Sequence, residues 1–235
     1  GRAARPAVSA ATPARPEDSR AAPLRNRDFR LLMGFRILTI LSYQTVAVTV
    51  GWHVYELTRD PWMLGLIGLA EVLPYFCVAP FAGYLVDSLP RRRLGAFAAA
   101  CLAITPLLLM AIAAAWWNPP GTLAIYAAIA LTGCVRAFLG PVYNALFARV
   151  LPREQYVRGA SLGSIVFQAG LVTGPAIGGL LVGWSGKPAA YGLAAVFAAC
   201  AAVAMLRLRV SEPPRQLQRA PVFASIAEGA RFVFG

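Results

Sequence analysis

The chain has 235 residues, of which 58% are hydrophobic and 14% charged, and its mean hydropathy is +0.61; so apolar a composition excludes an ordinary water-soluble domain and places the chain among membrane proteins. A formal net charge of +12 would suit a nucleic-acid binder, but the basic residues are scattered through the tail and the short connections rather than gathered on one folded face, which argues against nucleic acid as a partner. Cys77, Cys101, Cys134 and Cys200 all fall in apolar segments with no Cys-x-x-Cys pair, and they read as small packing residues. With one histidine, no Walker loop and no zinc spacing, no cofactor, metal site or enzymatic cluster is expected.

Residues 1–23 are rich in Ala, Pro and Arg without helical periodicity and are expected to be a disordered tail. The chain starts at Gly1 without Met, so the native N-terminus is expected to be missing or processed. Six apolar stretches follow, Leu31 to Leu57, Pro61 to Val86, Leu94 to Trp117, Leu123 to Ala148, Tyr156 to Trp184 and Ala189 to Leu206. Each is long enough to cross a bilayer, which takes about 20 helical residues, whereas barrel strands would be about half as long and would alternate. The expected fold class is therefore an all-α membrane protein of six transmembrane helices spanning residues 24–209, with short connections that make sequential neighbours antiparallel. Residues 210–235 read as the start of a central loop, broken off after the amphipathic run from Phe223.

The connecting charges orient the bundle. Arg25, Arg27 and Arg30 precede the first span, Arg91 to Arg93 follow the second, Arg149, Arg153 and Arg158 surround the fourth connection, and Arg207, Arg209, Arg215 and Arg219 follow the sixth. Opposite them stand Arg59 and Lys187, and Trp62, Trp116, Trp117 and Trp184 mark that boundary as an aromatic belt. The positive-inside rule then puts both ends of the chain in the cytoplasm of a multi-pass protein in the cell membrane. A Pro-x-x-Gly followed by aliphatics occurs at Pro80–Gly83 in the second span and at Pro175–Gly178 in the fifth. That echo suggests two triplets of helices in a 3+3 inverted repeat.

Between the second and third spans lies Gly83-Tyr-Leu85-Val-Asp87-Ser-Leu-Pro90-Arg91-Arg92-Arg93. Asp87 falls at a helix C-terminus, where the macrodipole disfavours an acid, so a partner such as an arginine is expected. Gly83, Leu85, Asp87, Arg91 and Arg92 resemble the Gly-x-Leu-x-Asp-x-x-Gly-Arg-Arg signature of the major facilitator superfamily, with Pro90 in place of the second glycine. The resemblance implies the N-terminal six-helix half of a facilitator, with Gly83, Asp87, Arg91 and Arg92 forming a conformational latch against a C-terminal six-helix half missing from this chain. Arg136-Ala-Phe-Leu-Gly140 in span four is similar to the family's Arg-x-x-x-Gly element. In span five, Gly170, Gly174, Pro175, Gly178 and Gly179 resemble the helix-packing element associated with its antiporters. Trp52-His53-Val-Tyr-Glu56-Leu-Thr58 and Leu73-Pro74 are similar to the enterobactin-exporter-like and multidrug-efflux-like branch.

Ionisable groups inside a membrane are costly and mark function. Arg136, near mid-membrane, is expected to hold an anionic substrate group or to modulate a carboxylate. Glu71, about ten residues into span two, is the first candidate for a proton carrier, since burial in hydrocarbon favours its neutral form except where a cation compensates. Gln44, near the centre of span one, faces either substrate or another helix. His53 and Glu56 lie near the outer boundary, where solvated roles are expected. The function these residues suggest is secondary active transport of a small molecule with protons as coupling ion, as efflux by alternating access. A nontransporting membrane scaffold or receptor on the same fold is the alternative.

Overall fold

A computed structural model describes residues 23–117 and 122–210. The expectations for residues 1–22 and 211–235 lie outside these residues. Asn26 starts the first long helix: its side-chain oxygen accepts from the N–H groups of Asp28 at 2.9 Å and Phe29 at 3.4 Å, a cap of about 1 kcal/mol. This helix, α1 (Arg27–Thr58), ends where Arg59 turns left-handed at φ 55°. Asp60 then caps α2 (Pro61–Ser88) through the Trp62 N–H at 2.9 Å, with Pro61 in the first turn, where its missing N–H costs nothing. Leu89 and Pro90 alone join α2 to α3 (Arg91–Ala113). Both take extended angles, φ −108° and −60°, so proline fits this turn without the left-handed freedom a glycine would bring.

α3 stops at Ala113, earlier than its apolar run, because Ala115 adopts φ 57° and the N–H groups of Trp116 and Trp117 turn back to the Ala111 carbonyl. α4 (Leu123–Val150) is followed by a short 3-10 turn, Arg153–Gln155. The last helical segment, Tyr156–Leu206, is broken at Gly186, whose φ of 81° favours glycine. Pro188 just beyond the break suits the first turn of a new helix. The two limbs are α5 (156–185) and α6 (187–206), so among the described residues the helices long and apolar enough to cross a membrane number six once the break is counted.

Between apolar helices in lipid the close contacts are made by small residues, since apolar burial gives little net drive. On α5, Gly170, Gly174 and Gly178 fall on one face against Ile40, Gln44 and Thr45 of α1. The Thr45 hydroxyl donates across this interface to the Gly174 carbonyl at 3.3 Å. Gly179 of the same motif has no neighbour where its Cβ would be, and it takes no part in the α1 contact. Gly133 of α4 meets the backbone of Glu71 on α2, and the Tyr126 hydroxyl of α4 donates to the Met63 carbonyl of α2 at 3.0 Å. Both pairings advance in the same chain direction, so α1·α5 and α2·α4 run parallel. Gly95 of α3 meets Met205 of α6 while Gly192 of α6 meets Met110 of α3, an antiparallel pair.

These interfaces obey the expected repeat. Exchanging α1 with α4, α2 with α5 and α3 with α6 converts α1·α5 into α4·α2 and maps α3·α6 onto itself. Two apolar clusters fill the bundle. One, around Phe29, Phe35, Leu102, Leu146 and Met205, lies toward the arginine-rich end; the other, around Val50, Val54, Leu109, Ile125 and Tyr191, lies toward the tryptophan-bearing end. α2 is covered least, with only 6% of its apolar window buried against 39–50% for the others, which leaves Leu73 and Phe76 exposed.

Candidate functional site

A cavity of about 300 Å³ opens between α1, α4 and α5, with Tyr75 of α2 contributing to its wall. Its polar content is concentrated in two guanidinium groups. Arg136 sits midway along α4, and one turn later Gly140 also lines the cavity, so both ends of the Arg-x-x-x-Gly element face the same space. Arg136 pairs with Glu71 of α2, 65 positions earlier in the chain, and its guanidinium lies 4.1 Å from the centroid of the Tyr43 ring. The two side chains keep 32% and 18% of their surface exposed, so the pair is half-sheltered and borders the opening.

The sequence explains why these two groups meet. Gly133 precedes Arg136 by three positions, so the two share a face of α4. A Cβ at Gly133 would collide with the Glu71 carbonyl, so glycine allows the α2 backbone to approach at the one level where its carboxylate reaches Arg136. The cation beside Glu71 is therefore Arg136, and the two residues singled out separately form one ion pair.

Arg36 of α1 is the second guanidinium, and sequence reasoning passed over it. It lies nine positions into α1, or about 13 Å along the axis at ~1.5 Å per residue, and three further arginines, Arg25, Arg27 and Arg30, come before the apolar run of the same span. Its depth inside the apolar run that begins at Leu31 was the available signal. The guanidinium packs 4.0 Å from the Tyr143 centroid and 5.2 Å from that of Phe167, and its buried Nε has no hydrogen-bond partner among the described residues. Gly163 of α5 makes room for the Tyr143 hydroxyl, which a Cβ there would strike.

The remaining expectations fall elsewhere. Gln44 does not line the cavity: its stem packs against Gly174, so of its two readings the structure favours the helix contact. His53, expected to be solvated, is only 4% exposed, with Nδ1 3.2 Å from the Tyr191 hydroxyl of α6. The chain beyond Gly186 folds back along α1 and covers it. Glu56 is half-exposed, pairs with Lys187 and accepts from the Trp52 indole at 2.6 Å. At the other end, Asp87 is 80% exposed and lies 3.5 Å from Arg91, while Arg92 donates to the Leu208 carbonyl at 3.0 Å and so ties α3 to the exit of α6. Gly83 has no neighbour within contact of a Cβ. Among the described residues no cluster of side chains suits a metal ion.

Comparison with known proteins settles the family. The model of the family described as transmembrane secretion effector matches residues 18–234. The chain belongs to this family of major facilitator superfamily transporters. An uncharacterized MFS-type transporter, y4rN of Sinorhizobium fredii, is 30% identical over 84% of this chain and 46% of its own length. The multidrug efflux pump Tap of Mycolicibacterium fortuitum is 27% identical over 87% of this chain and 52% of its own. The uncharacterized MFS-type transporter YfiS of Bacillus subtilis is 21% identical over 62% of this chain and 36% of its own. The chain thus spans about half the length, or less, of the curated relatives it matches. The facilitator is an all-α multi-pass membrane protein, and its family and relatives place it in the efflux-like branch.

Proposed function

We propose that this chain is the N-terminal half of a secondary active transporter in the cell membrane, with both ends of the fragment cytoplasmic, that exports small molecules by alternating access in exchange for protons. The observation that carries the reading is the Arg136–Glu71 pair at the edge of the cavity. A proton taken up by Glu71 removes the charge that holds Arg136, so the pair has two arrangements that a proton can select. The open face of α2 supports a second helical half packed against it. Exposed Asp87 then lies at the cytoplasmic end, where it and the arginines after it latch the two halves in one state.

The test uses the full-length protein in proteoliposomes with an imposed pH gradient, a pH-sensitive dye and a panel of multidrug-type substrates. Glu71→Gln is expected to abolish substrate-driven proton movement while exchange of labelled substrate across the membrane continues. Proton movement at the native rate in Glu71→Gln would remove Glu71 from the coupling role. Asp87→Asn is expected to slow transport about tenfold, within the usual span of conformational coupling energies, at an unchanged melting temperature, since an exposed pair of this kind adds little stability. Native turnover in Asp87→Asn would sink the latch.

A further inference from the structure

The two guanidinium groups of the cavity differ in one respect that bears on cargo. Arg136 is neutralised by Glu71, whereas no carboxylate among the described residues pairs with Arg36. Arg36 instead has aromatic rings against its guanidinium and a buried Nε without a partner. A guanidinium partly withdrawn from water without a counter-charge is costly, and the cost is relieved by whatever anion enters beside it. Counting Arg36, Arg136 and Glu71, the site carries one net positive charge. Three of the ring faces that would attract a cation are already taken, Tyr43 by Arg136, and Tyr143 and Phe167 by Arg36. A cationic cargo would meet repulsion where an anion meets a guanidinium that no carboxylate among the described residues neutralises.

The rest of the wall is aromatic and aliphatic. Phe35, Tyr43, Tyr75, Tyr143 and Phe167 surround a space of about 300 Å³, the lower end of the range for small-molecule sites. Rings stack on rings, while the carbonyl and amide of Asn144 and the tyrosine hydroxyls satisfy polar substituents. We propose that this cavity takes an aromatic organic anion, with its carboxylate, sulfonate or phosphate on the Arg36 guanidinium and its ring among the aromatic side chains. This deepens the transport reading and rests on it.

The experiment measures binding to the full-length protein in nanodiscs with three probes that share one ring system and differ in charge: naphthalene-2-sulfonate, 2-naphthylmethanol and 2-naphthyltrimethylammonium. Saturable binding of the sulfonate is expected at least about tenfold tighter than that of the alcohol or the cation, as a charge-assisted hydrogen bond in a sheltered site allows. Arg36→Gln should erase that preference while leaving the alcohol's affinity within about twofold, and Arg36→Lys should retain part of it. No saturable sulfonate binding, a preference for the cation, or an Arg36→Gln that weakens all three probes alike would each overturn the proposal. Flux measured on the same protein and variants in proteoliposomes separates the two readings. Expulsion of other compounds without sulfonate binding leaves the transporter and removes the anion site. Arg36-dependent sulfonate binding without flux of any compound keeps the site and removes the transporter.

Discussion

Replacing Arg136 by methionine is expected to abolish transport and to lower the stability of the bundle, because it leaves Glu71 as a lone carboxylate beside hydrocarbon. Breaking a buried ion pair on one side costs about 3–5 kcal/mol, more than the intact pair contributes, since the remaining charge loses its compensation. The partial exposure of both side chains brings the expected loss to about 2–3 kcal/mol here. The Tyr43 ring also loses the guanidinium above it. For a domain of this size the melting temperature falls by roughly 5–10 °C, read from tryptophan fluorescence in nanodiscs. Adding Glu71→Gln should return most of that stability without returning transport, because the second change removes the stranded charge but not the missing partner. A single variant as stable as the native protein, or a double variant no better than the single, would show that the pair does not anchor α2 to α4.

Gly133→Val is the companion prediction, and it acts on the backbone rather than the charges. The group a new side chain would strike is the Glu71 carbonyl, already committed to the α2 helix, so the clash is relieved only by moving α2 outward. Overpacking of this kind costs about 1–3 kcal/mol, and the displacement also draws Glu71 away from Arg136. Gly68→Ala on α2 is the control, since nothing lies within 4 Å of the added Cβ and alanine favours the helix. Thermal melts of the two variants should separate clearly, with Gly133→Val the less stable. Equal melting temperatures would mean that the close approach of α2 and α4 is not what holds the pair together.

The six spans were legible because span length, capping residues and loop charge are properties of short windows. Asp60-Pro61, Leu89-Pro90 and Gly186-Lys-Pro188 each mark a helix boundary within a few residues. The intramembrane charges were legible one at a time for the same reason. Glu71 and Arg136 stand out in apolar runs, but their pairing across 65 positions does not. Arg36 was hidden by its neighbours, since near a basic flank one more arginine reads as a topological signal. His53 was misjudged because its distance from the end of α1 gave no sign of α6 folding over it with Tyr191.

From the sequence alone come the helix number, their alternation through the membrane, the repeat and the family pattern. The tertiary structure decided which faces meet, and with that the cavity, the Arg136–Glu71 pair and the place of Arg36 among aromatic rings. The physical reason lies in the solvent. A helix apolar all round carries no periodicity to tell its inner face from its outer one. In a bilayer the choice falls instead to close packing at small residues such as Gly133 and Gly174, whose partners lie on helices far away in the chain.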